Sequence, residues 1–287
     1  MFLGELQLRH PCLVRMIGYC CEEEHRLLVY ELMAHGSLDD YFFKRPVLPW
    51  STRLSIVLAK RPSVPPRRGE AIDLRRIQLL RHPTCLDIRV VLSLSTRLSI
   101  ALATAKGLLS LHGEEKPLIS SKFNASNILL DSYNNVKLSD LWFARKYGKG
   151  DDSNEYTLMT SGYGCPPEYV MSGDFTMKCD VYCFGVVLLE ILTRQRLDWV
   201  TRASEQNLQN LRPRLRDPLE LGRVMDPVLK DIYPVAAAHE ACMVAYRCLH
   251  ASPEKRLSML AVVEALDLLV RATTTDEVNV GQTNTRT

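Results

Sequence analysis

Residues 118–131, LISSKFNASNILLD, and residues 137–142, KLSDLW, are the stretch of the chain that decides its fold. Short apolar runs flank the polar residues 131–135, which is the pattern of two strands joined by a tight turn. The pattern predicts a hairpin with Asn127 directly before its first strand and Asp140 directly after its second.

Two further β-rich runs lie near the start of the chain. Residues 8–20 and 26–33 are separated by the charged stretch 21–25, as expected for two paired strands. Ser37 then precedes the acidic pair Asp39–Asp40, which is typical of the capped first turn of a short helix ending near Phe43.

These segments resemble one known family. Residues 10–20 fit H-P-x-L-V-x-x-I-G-Y-C, and residues 27–38 fit L-L-V-Y-E-x-M-x-x-G-S-L. Residues 118–142 have the spacing of the kinase motifs H-R-D-x-x-x-x-N and D-F-G. Together they look like the receptor-like cytoplasmic kinases of plants, a serine/threonine kinase family. The resemblance covers residues 2–50 and 95–270. It implies an α+β, protein-kinase-like fold, mostly the helical C-lobe with an incomplete N-lobe of two strands and the hinge.

The resemblance also implies a nucleotide site. Glu31 and Met33 match the hinge that holds adenine, and Leu129 matches the pocket beneath the ring. Asn127 and Asp140 match the two magnesium-ligand positions, and their oxygen atoms suit a hard cation. ATP and Mg²⁺ are therefore the implied cofactors.

The catalytic positions are degenerate. Where the family has Arg, the catalytic Asp and a phosphate-contacting Lys, this chain has Ser121, Lys122 and Asn124. A lysine has a reference pKa near 10.4 and is protonated at neutral pH, so it cannot accept the substrate's proton. Loss of general-base catalysis alone costs roughly 10²- to 10⁴-fold in rate. Two interpretations of Lys122 stay open, a surface residue and a direct phosphate ligand.

The residues next to the implied magnesium ligand Asp140 also differ from the family motif. Trp142 stands where the D-F-G motif has glycine, so the conformational freedom of that position is lost. Asn127 is either a magnesium ligand or a residue that ties the loop together by hydrogen bonds. Binding of ATP and Mg²⁺ is expected to be weak or absent.

Three parts of the family's N-lobe are not found in residues 2–287. These are the Gly-rich loop, the Lys of strand three and its Glu partner, which cover and neutralise the nucleotide's phosphates. Two strands without a third are also expected to leave an unpaired edge and an exposed apolar face.

An internal repeat occupies residues 45–107. Residues 51–59, STRLSIVLA, recur as residues 95–103, STRLSIALA, at an offset of 44 residues (95 − 51). Only the second copy continues into the family's long helix, and joining Trp50 to Ser95 restores the family pattern. The stretch between the copies is rich in Pro and Arg. It is interpreted either as an insertion with a basic docking surface or as a duplication or retained non-coding sequence that is poorly ordered.

The C-terminal half follows the family most closely. Residues 180–193 predict a helix buried nearly all round, and three amphipathic helices are predicted at 221–229, 236–249 and 259–269. By resemblance, Asp180 holds the catalytic-loop backbone from below, and Arg256 pairs with Glu168.

Composition limits the other possibilities. A net charge of +3 gives no case for nucleic acid. Nine cysteines without paired C-x-x-C spacing favour reduced thiols, and Cys179 and Cys183, one helical turn apart, are predicted to lie in the core rather than to bind a metal. No signal peptide, myristoylation start or membrane-spanning run is visible, so a cytoplasmic protein is expected, peripheral at the plasma membrane only through partners.

The sequence thus predicts a remnant N-lobe, hinge and helix at 1–44, an inserted segment at 45–94, a kinase-like C-lobe at 95–270 and a disordered tail at 271–287. Three functions stay open. The first is a pseudokinase that binds other kinases or receptor kinases, the second an ATP-dependent serine/threonine kinase of plant signalling, and the third a degenerate product that does not fold stably.

Overall fold

The computed structural model describes a defined part of the chain. The described residues are 10–22, 25–43, 92–113, 117–120, 123–139, 145–146, 166–173, 176–197, 202–229 and 232–283. The first copy of the repeat and the rest of 44–91 lie outside the described residues, as do Ser121, Lys122 and Asp140.

Within the described residues, the strands form three small sheets. Strands β1 (Met16–Glu22) and β2 (His25–Tyr30) pair antiparallel, which confirms the predicted hairpin. Strands β3 (Gly36–Ser37), β5 (Ile128–Leu130) and β6 (Val136–Leu138) form a second sheet in the order β3-β5-β6, and β5–β6 is the hairpin predicted around 131–135. Strand β4 (Leu118–Ile119) pairs with β7 (Arg145–Lys146).

Helices make up most of the remaining fold. They are α1 (Leu38–Phe43), α2 (Leu94–His112), α3 (Pro167–Ser172), α4 (Met177–Thr193), α5 (Arg202–Leu215), α6 (Leu221–Val224), α7 (Val235–Cys248) and α8 (Met259–Thr283), with 3₁₀ turns at Ala125–Asn127, Pro227–Leu229 and Pro253–Lys255. Strand-poor N-terminal residues thus precede a helical body, as the family resemblance implies.

Helix α1 begins as the sequence predicts. The Oγ of Ser37 accepts the N–H of Asp40 at 3.1 Å, which satisfies one of the free donors of the first turn. Gly36, just before it, has φ of +73°, a left-handed conformation that glycine adopts without strain. The chain therefore turns sharply from the hinge residues into the helix.

The residues before β1 join the N-terminal part to the helical body. The N–H of Val14 donates to the carbonyl of Leu138 at 2.9 Å, and the N–H of Leu138 donates to the carbonyl of Cys12 at 2.8 Å. Helix α2 passes close to this junction at Gly107, where an added Cβ would lie 2.7 Å from the Leu138 side chain. Glycine at 107 therefore permits the close approach of helix and strand.

Helix α4 lies at the centre of the core. Every residue from Cys179 to Thr193 is buried, as the apolar sequence predicts, and Cys179 and Cys183 are among the free thiols in this core. A Cβ at Gly185 would lie 2.8 Å from Cys248 and 2.9 Å from Leu249, so α7 packs directly on the α4 backbone. Close packing of this kind makes a core sensitive to a single added methyl group.

The helix boundaries differ from the sequence expectation in three places. The helix predicted at 221–229 is divided, because Met225 is extended and Pro227 starts a separate 3₁₀ turn. Helix α5 is polar and contains Pro213, and no helix was predicted at these residues. Helix α8 continues to Thr283, through most of the tail for which the sequence predicts disorder from residue 271.

The strand pair β1–β2 exposes apolar side chains at the positions where the structure describes them. Ile17 is 62% exposed and Val29 is 50% exposed. Within the described residues, no third strand joins this pair. The observation agrees with the apolar face expected from two strands without a third.

Candidate nucleotide and catalytic-loop site

The catalytic-loop segment folds around a reciprocal cap. The side-chain oxygen of Asn127 accepts the backbone N–H of Asn124 at 3.1 Å, and the side-chain oxygen of Asn124 accepts the N–H of Ser126 at 2.8 Å. These bonds close the 3₁₀ turn that leads into β5, and Phe123 anchors its start in the core. Asn124, which replaces a phosphate-contacting lysine, thus takes part in local structure.

Asn127 also ties the loop to the second strand of the hairpin. Its carbonyl accepts the N–H of Ser139 at 2.8 Å and the Oγ of Ser139 at 3.2 Å. Ser139 directly precedes Asp140, the other metal position implied by the resemblance. The loop-tying interpretation of Asn127 therefore has direct geometric support.

The described residues do not complete a magnesium site. Asn127 is the one implied ligand among them, it is 92% buried, and its side-chain oxygen already accepts a backbone N–H. Within the described part of the chain, no group of three or more His, Cys, Asp or Glu side chains could hold a metal. Any magnesium site would also need Asp140, and the side-chain oxygen of Asn127 could contribute only its second lone pair.

The hinge is formed and lies beside β5. The N–H of His35 donates to the carbonyl of Leu130 at 3.0 Å, and Gly36 donates to the carbonyl of Met33 at 3.2 Å. Leu129, the implied pocket residue, is half-buried in β5 and pairs with Ser37. These contacts bring the hinge and the implied adenine pocket together.

The hinge backbone keeps hydrogen-bonding capacity. Within the described residues, neither the carbonyl of Glu31 nor the N–H of Met33 takes a hydrogen bond. An open acceptor next to an open donor is what the edge of an adenine ring requires. These two backbone groups are the ones that the resemblance implies for adenine binding.

The carboxylate of Glu31 is held in its ionised form. Burial raises its pKa, but the hydrogen bonds from the Lys137 ammonium at 2.6 Å and from the N–H of Arg15 at 2.8 Å outweigh burial, and the net pKa is lowered. The sequence analysis did not identify Lys137. Its partner Glu31 lies 106 residues away in the chain, so no local pattern connects the two residues.

Asp180 lies beneath the catalytic loop. It is fully buried, and its Oδ2 accepts the N–H of Ser120 at 3.0 Å and lies 2.8 Å from Nε2 of His112. Burial raises the pKa of Asp180, whereas the contacts with His112 and Ser120 oppose this rise. His112 ends α2, so the carboxylate joins α2, α4 and the start of the loop in the place that the resemblance implies.

Glu168, which is partly buried, and Arg256, which is buried, form an ion pair. The two guanidinium NH groups donate to the two carboxylate oxygens at 2.6 Å each, and Arg256 also donates to the carbonyls of Lys178, His250 and Ala251. Bidentate pairs of this type combine strength with defined orientation. The pair fixes α3 against α4 and the 3₁₀ turn near residue 255.

A second ion pair, with both residues buried, was not found from the sequence. Arg97 donates to Asp226 at 2.6 Å, to the carbonyl of Leu92 at 3.0 Å and to the carbonyl of Ile191 at 2.8 Å. Its guanidinium also lies 5.3 Å from the ring centroid of Phe42. In the sequence, the one sign of this pair is a single arginine among the mostly apolar buried residues of α2. Its partner Asp226 lies 129 residues away, and no local pattern identifies it.

Comparisons with known proteins agree with this geometry. The family model for the protein tyrosine and serine/threonine kinases matches residues 4–266. The chain is 42% identical to the Arabidopsis thaliana protein named probable serine/threonine-protein kinase PBL8, over 93% of this chain and 55% of that protein. It is likewise 42% identical to an EPD1-interacting receptor-like cytoplasmic serine/threonine-protein kinase of Nicotiana benthamiana, over 93% of this chain and 49% of that protein.

A third relative is the serine/threonine-protein kinase PBL13 of Arabidopsis thaliana, 42% identical over 93% of this chain and 46% of that protein. The chain spans about half the length of the curated relatives it matches. Within the described residues, no helix has the length and apolar character of a membrane span. The family match and these relatives confirm the resemblance seen in the motifs: the chain belongs to the protein tyrosine and serine/threonine kinase family, alongside the receptor-like cytoplasmic kinases of plants.

Proposed function

We propose that this chain is a catalytically inactive kinase-family protein that acts by binding signalling partners. The observation that carries the proposal is Lys122, five residues before the capped Asn127, at the position of the proton acceptor. A protonated ammonium cannot take a proton from a substrate hydroxyl. The loop around this position nevertheless keeps its supporting contacts to Asp180 and Ser139.

The preserved helical body is the part proposed to bind. The ion pairs Glu168–Arg256 and Arg97–Asp226 hold the C-lobe helices together without any role for nucleotide. One relative carries the words EPD1-interacting and receptor-like in its name. We therefore propose receptor kinases or other kinases as partners, with a cytoplasmic location and contact with the plasma membrane only through those partners.

ATP and Mg²⁺ are proposed to bind weakly or not at all. The hinge retains an open acceptor at Glu31 and an open donor at Met33, which favours some affinity for adenine. The side-chain oxygen of Asn127 already accepts the N–H of Asn124 and keeps one lone pair for a metal ion. Trp142 stands where the D-F-G motif has glycine, which disfavours magnesium. Nucleotide binding, where present, should depend little on magnesium.

A second candidate is an active serine/threonine kinase, favoured by the names of the relatives and by the formed hinge. A phosphoryl-transfer assay with labelled Mg-ATP and a basic protein substrate separates the two. We expect no transfer above a protein-free blank, and Lys122→Met should behave as the wild type does. Transfer by the wild type that Lys122→Met abolishes would overturn the proposal.

A third candidate, a degenerate product, predicts no stable fold. Calorimetry of the purified chain addresses it, because a folded C-lobe unfolds in a cooperative transition. Absence of such a transition would favour this third candidate over a binding function.

A further inference from the structure

The described hydrogen bonds between the β1–β2 hairpin and the rest of the molecule lie at its base. Its apolar side chains Ile17 and Val29 are exposed, so packing on the helical body does not cover them. An isolated two-stranded hairpin is marginally stable in water. The contacts at its base therefore decide whether the hairpin stays formed.

Glu31 takes part in three of the contacts at the base of the hairpin. Its N–H donates to the carbonyl of Arg15 at 3.1 Å, and its Oε1 accepts the N–H of Arg15 at 2.8 Å. The same oxygen accepts the ammonium of Lys137 at 2.6 Å. One carboxylate oxygen thus connects the start of β1, the end of β2 and strand β6.

The Glu31–Lys137 pair is more sheltered than an ordinary surface pair. The two side chains are 20% and 21% exposed, so water and salt screen their attraction only in part. Lys106, by comparison, lies 3.8 Å from Asp267 and is 45% exposed. The second pair has the weaker geometry and provides a matched control.

We propose that the Glu31–Lys137 ion pair is a latch that holds the β1–β2 hairpin and the hinge on the C-lobe. When the latch is released, the hairpin opens as a unit while the C-lobe helices stay folded. Because Lys137 lies three residues before Asp140, the latch also links the position of the hinge to the strand that leads into the metal position. The inference does not depend on nucleotide binding or on catalysis.

Other contacts limit the size of the effect. The backbone bonds of Leu138 with Cys12 and Val14 remain when Lys137 is replaced, so the hairpin is loosened rather than detached. Loss of a partly buried pair should raise the population of the open hairpin about five-fold.

Hydrogen exchange of the full chain tests the latch. Lys137→Met should increase the exchange rates of amides in 16–22 and 25–30 about five-fold, with no change in 177–193. Lys137→Arg should restore exchange to near the wild-type rate, because a guanidinium can also donate to the carboxylate. Lys106→Met, the control, should leave both segments unchanged.

A second variant keeps the test decisive if Lys137→Met does not fold. Glu31→Gln retains an amide oxygen for the N–H of Arg15 but loses the charge, and it should loosen the same two strands. The double variant Glu31→Gln/Lys137→Met should exchange no faster than the faster single variant, because both remove the same pair. Unchanged exchange in 16–30, or an equal increase in 177–193, would overturn the latch.

Discussion

The side-chain oxygen of Asn127 accepts the backbone N–H of Asn124 at 3.1 Å, and this bond closes the turn of the catalytic loop. A residue in the position of a magnesium ligand therefore has a structural partner within its own loop. The bond closes the described residues 124–127 of the loop into a turn, although the resemblance implies a phosphate-contacting lysine at Asn124.

The cap predicts a measurable contribution of Asn127 to stability. Asn127→Ala should lower the free energy of unfolding by about 1 kcal/mol, because the N–H of Asn124 loses its acceptor. Ser126→Ala, an exposed neighbour on the same turn, is the control and should stay within about 0.5 kcal/mol of the wild type. Urea denaturation measures both, and equal effects of the two substitutions would contradict the assigned role of the cap.

The repeat provides a matched pair of substitutions. Arg97→Met should destabilise the fold by about 3–5 kcal/mol, because it leaves Asp226 charged and buried without a cation. Arg53→Met alters the same sequence in the first copy and should change stability by less than about 0.5 kcal/mol. Thermal unfolding measures the stability of both variants. A large loss of stability in Arg53→Met would show that the first copy packs in the core.

The residues that follow each copy of the repeat explain why the second copy, residues 95–103, continues into α2. Thr104 and Ala105 follow the second copy and are fully buried, whereas Lys60 and Arg61 follow the first copy. Two cations in those positions would be buried without partners, and Pro62 would fall inside the helix. The second copy is thus the one that can complete α2.

Removal of residues 51–94 should therefore leave a folded protein. The deletion places Leu48, Pro49 and Trp50 in register with Leu92, Ser93 and Leu94. Ser93 has φ of −60°, which proline also adopts. The expected losses are the Ser93 side-chain cap, about 1 kcal/mol, and the repacking needed where Trp50 takes the place of the buried Leu94. Calorimetry should show one cooperative transition with a midpoint within several degrees of the full chain. Loss of that transition would mean that the inserted segment is required for folding.

Acid should weaken the Glu168–Arg256 pair. Burial raises the pKa of Glu168, but the hydrogen bonds from Arg256 outweigh it, and the net pKa is lowered. A lowered folded-state pKa gives stability that is present above the unfolded pKa of about 4.3 and is lost as the pH falls through the folded value. Urea midpoints should thus fall as the pH decreases below about 4.5.

Glu168→Gln tests the origin of that pH dependence. The variant should be less stable at neutral pH and should lose less stability on acidification than the wild type. Glu254→Gln, an exposed carboxylate near the same turn, is the control for removal of a negative charge. An acid profile of Glu168→Gln identical to that of the wild type would contradict the assignment.

Local signals account for what the sequence predicted well. The two β-rich runs near the start of the chain predicted the β1–β2 hairpin, and the runs around 131–135 predicted the β5–β6 hairpin. The apolar residues of 180–193 predicted the buried helix α4. The partners Glu168 and Arg256 came from family resemblance, because no local pattern connects residues 88 positions apart.

Long-range contacts account for most of what the sequence did not predict. The pairing of Arg97 with Asp226 and of Lys137 with Glu31 depends on which elements meet in three dimensions. The cap between Asn124 and Asn127 is local, and an Asn followed three residues later by a second Asn is the signal that could have predicted it.

A thermal melt with and without Mg-ATP tests the central claim most directly. A nucleotide at 100 times its dissociation constant would stabilise the fold by about 2.7 kcal/mol, enough to raise the midpoint by several degrees. The account predicts a cooperative transition whose midpoint Mg-ATP does not raise in a magnesium-dependent way. A clear magnesium-dependent increase in the midpoint would contradict it, because the phosphate and metal positions would then be functional.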